Sequence, residues 1–274
     1  MKMTRKKVWS AVITLLSIAL GVIWLAPLIW LVGTALTETT FHMTFLPTTP
    51  FTLDNIKYVW NAVPFGQYYL NTIILVVGTF CIQFVTSTLA AYSLAFYRFK
   101  GQGLVFLIIF MQIIIPNDVL IIPNFMTLSE LGLYDTKLGV MLPFLGSAMA
   151  IFLLRQHFKT VPKALGEAAM IDGCNPLQIF FKIVFPILKP TMISTAILET
   201  MWVWNDYLLP TLVLDIKKYR TIPMAIQYFR GSYGRVEMGP MMACIMITVL
   251  PIIVMYLVCQ KYIIDGVIAG AVKG

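Results

Sequence analysis

The stretch VWSAVITLLSIALGVIWLAPLIWLVGTA, Val8 to Ala35, is an apolar run with no charged residue. Lys2, Arg5, Lys6 and Lys7 stand before it. A helix rises about 1.5 Å per residue, so about 20 apolar residues cross roughly 30 Å of hydrocarbon. The run is too long for the apolar part of a signal peptide, and no clear small-x-small site ends it. It therefore reads as an uncleaved first membrane span.

Similar runs recur along the chain. Composition agrees: 59% of residues are hydrophobic and 12% are charged, with a mean hydropathy of +0.85. A soluble domain carries about 25% charged residues. The runs are continuous rather than alternating, which excludes an outer-membrane barrel. The fold class is an all-α polytopic membrane protein. Spans are expected at about 8–35, 69–96, 104–123, 138–155, 186–209 and 240–260. They make one transmembrane domain over 8–260, between tails at 1–7 and 261–274. Pro27, Pro116, Pro143 and Pro251 fall inside spans and are expected to kink them.

Orientation follows from Lys and Arg. With the N-terminus inside, the inner segments hold Arg98, Lys100, Arg155, Lys159, Lys163, Lys182, Lys189, Lys261 and Lys273 besides the four N-terminal cations. The outer loops hold Lys57, Lys137, Lys217, Lys218, Arg220, Arg230 and Arg235. Both termini are therefore expected in the cytoplasm. The net charge of +8 reflects this topology and implies no nucleic-acid partner. Tyr68, Tyr69, Trp202, Trp204 and Tyr207 are expected in an outer interfacial belt, and Tyr92, Tyr97 and Tyr262 in an inner one.

Covalent chemistry finds no support in the residues. Cys81, Cys174, Cys244 and Cys259 lack metal spacing and read as small hydrophobes, while His42 and His157 stand alone. No nucleophile–base pair and no phosphate-binding GxxxxGK[ST] loop is present.

The longest inner loop, 156–185, carries the most specific signal. It reads as two short helices. Thr160 is expected to cap the first, with Pro162 in its opening turn. Lys163 and Glu167 are spaced to pair on its surface. Ala164, Ala168 and Ala169 give it a small-residue surface, and Gly173 is placed to end it in the left-handed conformation. Asn175 then caps the second helix, with Pro176 at its first position.

Glu167-Ala168-Ala169, Gly173 and Ile183-Val184-Phe185-Pro186 together resemble the EAA motif of binding-protein-dependent ABC importer permeases. Phe185 stands where the motif usually has Leu. Trp204-Asn205-Asp206-Tyr207-Leu208 resembles the Trp-Asn-Asp-Phe-Leu stretch of the carbohydrate-uptake permeases. Gln260-Lys261-Tyr262-Ile263 and the terminal Ala269–Gly274 are similar to that family's C-terminal ending. The likeness is greatest to the second permease of maltose-type and glycerol-phosphate-type systems. It implies a bacterial inner-membrane transport subunit that forms half of a translocation path. The implied partners are a second permease, as a heterodimer, two cytoplasmic ATP-binding subunits and an extracellular solute-binding protein. ATP and Mg would be bound by the ATPase, with no cofactor in this chain. Glu167, Ala168, Ala169, Asp172, Gly173 and Pro186 would be the residues coupled to that ATPase.

Carboxylates inside spans cost roughly 2.5–3.5 kcal/mol on insertion scales and normally face protein or water. Thr195, Glu199, Trp202 and Asp206 follow helical spacing and are expected on one face, with Asn205 beside them. Carboxylates accept hydrogen bonds from sugar hydroxyls and an indole covers a sugar ring. The alternatives are pairing with the partner permease for Glu199, an interfacial place for Trp202, and helix capping for Asn205 and Asp206. Asp118, beside Pro116, either faces solute or satisfies backbone freed at the kink. Two carboxylates in a low-dielectric path favour a neutral saccharide over a phosphate ester. A secondary transporter coupling an ion through Glu199, Asp206 or Asp118 is the competing reading, and it leaves the capped inner loop without a role.

Overall fold

The computed structural model describes residues 5–38, 50–229 and 238–271, with side chains at all of these except 5–8, 163, 191 and 262–271. Lys2, His42, Arg230, Arg235, Lys273 and the side chains of Lys163 and Tyr262 lie outside the described residues. The expected Lys163–Glu167 pair therefore does too.

Described secondary structure is helical, apart from a single antiparallel bridge between Thr37 and Phe51. Residues 1–65 with 225–250, and 66–224 with 251–274, make two compact units. In the first, α1 (Arg5–Ala35) is a continuous helix through Pro27. Its apolar side chains are exposed along its length, which suits lipid. Asn55, in α2 (Asp54–Ala62), donates to the carbonyls of Ala35 and Thr37 and ties α2 to the end of α1.

The second unit contains nearly all of α3 (Phe65–Phe96), the long helix against which the others pack. The expected third span is broken. It consists of α4 (Gln102–Ile114) and α5 (Asn117–Glu130), bent by 103° at Pro116. A residue before proline is driven out of the helical region, and Ile115 is extended at φ −82°, ψ 118°. The expected fourth span also breaks. Helix α6 (Lys137–Met141) runs into a short tight turn containing Pro143, then α7 (Ala148–Phe158) restarts at 45° with Ser147 as its cap.

The expected fifth span begins earlier than hydropathy placed it. Helical backbone starts at Pro176 and ends at Asn205, turning by 67° between Pro176–Pro190 and Met192–Asn205. Last comes a long helix, Met238–Ala271, continuous through Pro251. Among the described residues, three helices are long and apolar enough to span alone, and up to six spans result when each bent pair counts as one.

Two apolar clusters hold this unit together. One joins Leu75 of α3 to Leu128, Val140, Met141, Leu209, Val213 and Leu214. The other joins Ala91 and Leu94 of α3 to Ile151, Leu154 and Phe158 of α7, and to Val184, Leu188 and Met192. Close approach depends on glycine at α6. A β-carbon at Gly139 would collide with the backbone carbonyl oxygen of Leu133, which cannot swing away. Gly139→Ala is therefore expected to destabilise the subunit by about 1–3 kcal/mol through overpacking. Gly103→Ala, with open space at its β-carbon, serves as the neutral control when melting temperatures of the solubilised assembly are compared.

The aromatic-belt expectation needs correction for Tyr68 and Trp204. Both are buried in the protein, with the Trp204 ring packed at 6.4 Å from that of Tyr69.

Candidate functional site

Residues 156–185 fold as the expected pair of short helices. Helix α8 (Lys163–Ile171) starts after Pro162 with no side-chain cap. Thr160 does not cap it: its hydroxyl donates back to the His157 carbonyl at 2.8 Å. The end of α8 is more tightly specified. Gly173 has φ +81°, in the left-handed region that favours glycine. Its N–H donates to Met170 O at 3.0 Å, and Cys174 N–H donates to Ala169 O at 2.9 Å. This is the Schellman pattern, closing the orphan carbonyls of the last turn. Asn175 then opens α9 (Pro176–Ile179). Its side chain accepts from Gln178 N–H at 2.9 Å while the Gln178 side chain accepts from Asn175 N–H at 2.9 Å. That reciprocal capping box fixes the direction in which α9 leaves the turn.

From α9 the chain enters a π-turn, Phe180–Val184, before α10 (Phe185–Asn205). The physical reason is Pro186, at the start of α10. A proline has no N–H and its ring crowds the carbonyl four residues back. Widening the turn relieves that crowding, and Phe185 N–H donates instead to Phe180 O. The turn also places Phe180 edge-on to Tyr92 of α3 at 5.6 Å and to Phe158 of α7 at 6.5 Å. The short helices are thus fastened to α3 and α7 through one aromatic contact set.

Which side faces outward is now defined. Ala169 is only 6% exposed and packs with Ile179, Val184 and Phe158. It anchors the hairpin, which corrects its place on the expected small-residue surface. Glu167, Ala168, Asp172 and Gly173 are exposed. Beside them Leu165, Met170, Ile171 and Leu177 are exposed as well, with Ile171 at 86%. Large apolar side chains held outward on one rigid turn make a contact surface. Sequence reading missed this apolar rim and Gln178. Asn175 followed three positions later by Gln178 was the legible sign of the capping box.

On α10 the expected in-span stripe holds for Thr195, Glu199 and Trp202, whose spacing puts them along one helix face, but not for Asp206, and its members do not share one environment. Thr195 is buried, while Trp202 is 66% exposed. Asp206 lies beyond α10 with extended backbone, φ −68°, ψ 124°, so helical spacing no longer applies to it. Asn205 folds back on its own helix, donating to Met201 O at 2.8 Å. Glu199 turns inward: Ser147 Oγ donates to its Oε1 at 2.7 Å, and the Gln83 side chain also hydrogen-bonds it. Ser147 Oγ in turn accepts from Ala150 N–H at 3.0 Å as the cap of α7. Glu199 thereby joins α10 to the break before α7 and to α3. Neither Ser147 nor Gln83 was singled out from sequence, because nothing local marks a partner this far away in the chain. Asp118 is exposed in the first turn of α5.

Among the described residues no group of His, Cys, Asp and Glu is arranged to hold a metal ion.

Comparison with known proteins agrees with this geometry. The sequence profile of the binding-protein-dependent transport system inner membrane component matches residues 83–267, which include the hairpin and α10. The chain is 33% identical to the probable starch degradation products transport system permease protein AmyC of Thermoanaerobacterium thermosulfurigenes, over 99% of this chain and 100% of that protein. It is 32% identical to the arabinooligosaccharides transport system permease protein AraQ of Bacillus subtilis, over 81% of this chain and 79% of that one. It is likewise 32% identical to the sn-glycerol-3-phosphate transport system permease protein UgpE of Shigella flexneri, over 82% and 83%. A chain in the crystal structure of a bacterial ABC transporter involved in the import of the acidic polysaccharide alginate shares the fold, with a TM-score of 0.82 and 24% identity over 96% of this chain and 99% of that one. With its profile match, its full-length relatives and its helical spans, the chain belongs to the inner membrane components of binding-protein-dependent transport systems, as a transport permease subunit and not an enzyme.

Proposed function

We propose that this permease imports a sugar, an oligosaccharide or a related saccharide, across a bacterial cytoplasmic membrane, and that the hairpin at 163–179 is where ATP-driven motion enters it. The observation that carries the reading is the rigid turn itself. Apolar side chains stand outward on a Schellman turn and a capping box, and the same turn is fastened to α3, α7 and α10. A surface of this kind suits a groove on a soluble ATPase. When the ATPase closes, the push passes through the π-turn into α10 and through the Phe180–Tyr92–Phe158 rings into α3 and α7. The spans then rock as rigid bodies.

Family membership brings a second permease, an ATPase and a solute-binding protein as partners in general. Our reading is a heterodimer of permeases with two ATP-binding subunits, which hold ATP and Mg. Both termini lie in the cytoplasm, and the domain spans 8–260. The ATPase contacts Glu167, Ala168, Asp172 and Gly173 at the surface, while Ala169 and Pro186 set the hairpin's position beneath it. Trp202 is the path residue at the far end of α10, offering its exposed indole to a sugar ring. The saccharide class is supported by the starch-product and arabino-oligosaccharide relatives. A glycerol-phosphate-type solute is the second reading, favoured by the sn-glycerol-3-phosphate relative.

The test is reconstitution. The chain is expected to co-purify with an ATPase whose turnover rises when a saccharide-loaded binding protein is added. Stimulation by a glycerol-phosphate-loaded binding protein alone would select the second reading. Uptake that survives without any ATPase and collapses with an ion uncoupler would defeat both.

A further inference from the structure

Helix α3 carries a buried polar row, Thr72, Thr79, Gln83 and Ser87, facing the interior of its unit. The Gln83 side chain hydrogen-bonds Glu199, although its Oε1 has no partner in the protein. Thr72 donates to Tyr68 O and accepts from Ile222 N–H, and Ser87 accepts from Ser147 N–H. One turn differs. Thr79 Oγ1, Trp204 Nε1, Asp206 Oδ2 and Thr221 Oγ1 are all buried without a hydrogen-bond partner in the protein, and all four residues line one cavity of about 10 Å³. Thr79 is 1% exposed, Thr221 2% and Trp204 8%. Leaving a buried polar atom unpaired costs about 1–3 kcal/mol, so four around one cavity is not a state that folding tolerates.

The chemistry of the four groups selects the ligand. The indole N–H only donates, the carboxylate oxygen only accepts, and each threonine hydroxyl does either. A water accepts two hydrogen bonds and donates two, and needs about this much room. A metal ion fits poorly, since an indole N–H aimed at it is repelled and a single carboxylate is a thin oxygen set. Asp206 also faces the backbone N–H groups of Leu208 and Leu209, at the start of α11 (Leu208–Val213).

We infer that this cavity is a binding site for one ordered water molecule, which accepts from Trp204 Nε1 and one threonine hydroxyl and donates to Asp206 Oδ2 and the other threonine. The water is the joint between α3, the end of α10 and the segment at Thr221. It lets that joint open and reclose during transport without stranding a buried carboxylate, since an exchangeable molecule bridges it. The Trp204–Asp206 pair thus has a role within the subunit, separate from solute contact.

Radiolytic hydroxyl labelling of the assembled importer in ¹⁸O-water, read by mass spectrometry, tests this. Trp204 is expected to label rapidly although buried. The near-isosteric double variant Thr79→Val, Thr221→Val removes two of the four partners and is expected to lower labelling at Trp204 several-fold. Labelling at exposed Trp202 should stay unchanged. A high-resolution map of the wild-type importer should show a density peak about 3 Å from both Trp204 Nε1 and Asp206 Oδ2, which decides the matter if the variant fails to assemble. Absent labelling at Trp204, labelling indifferent to the double variant, or a peak whose occupancy follows sodium concentration would overturn the inference.

Discussion

Gly173→Pro is expected to reduce uptake to near background while the subunit still inserts and assembles and ATP hydrolysis continues. Gly173 adopts φ +81° and its N–H closes the last turn of α8 on Met170 O. Proline locks φ near −65° and has no N–H, at a cost of about 3 kcal/mol. It also drives the preceding Asp172 out of helical geometry. A penalty of that size lowers the population of the docking-competent turn about a hundredfold, at about 1.4 kcal/mol per tenfold. Gly173→Ala keeps the N–H and pays only the left-handed cost of about 1–2 kcal/mol, so its uptake should fall by a smaller factor. Glu167→Lys reverses a charge on the same exposed surface without touching the turn and is expected to uncouple hydrolysis from transport in the same way. The measurements are uptake in vesicles and ATPase turnover on the same preparation. Wild-type uptake by Gly173→Pro would remove the hairpin from the coupling route.

Glu199 and Trp202 should part company when replaced. Glu199→Ala leaves the half-buried Ser147 hydroxyl and the buried Gln83 side chain without their acceptor. Each buried group stranded costs about 1–3 kcal/mol, so the solubilised assembly should melt several degrees lower. Glu199→Gln keeps an acceptor for Ser147 and should restore both melting temperature and uptake. Trp202→Ala should do the reverse, leaving stability near wild type because its ring is exposed. Losing a ring contact of about 0.5–1.5 kcal/mol should raise the apparent KM several-fold. Loss of uptake in Glu199→Gln with unchanged melting would instead put Glu199 in the solute path.

The hairpin and the stripe show how far sequence reasoning reaches. Gly173, Asn175 and Pro176 act through their own backbone within a few residues, so their roles were readable locally. Thr160 was misread because a hydroxyl has a nearer acceptor in the His157 carbonyl. The stripe from Thr195 to Asp206 assumed an unbroken helix. It failed where the chain turns extended after Asn205, an end that only the capping alternative for Asn205 and Asp206 anticipates. The breaks at Pro116 and Pro143 were legible as kinks, but a bend of 103° and one of 45° could not be ranked beforehand, because packing decides how far a freed turn opens.

Sequence by itself determined the membrane class, the approximate spans and the capped hairpin, since apolar run length and backbone chemistry are local properties. Only the tertiary structure decided that Ala169 points inward while Ile171 points out, that Glu199 meets Ser147, and that Thr79, Trp204, Asp206 and Thr221 surround one cavity. Those juxtapositions join residues far apart in the chain, and side-chain packing, which no local pattern encodes, sets them.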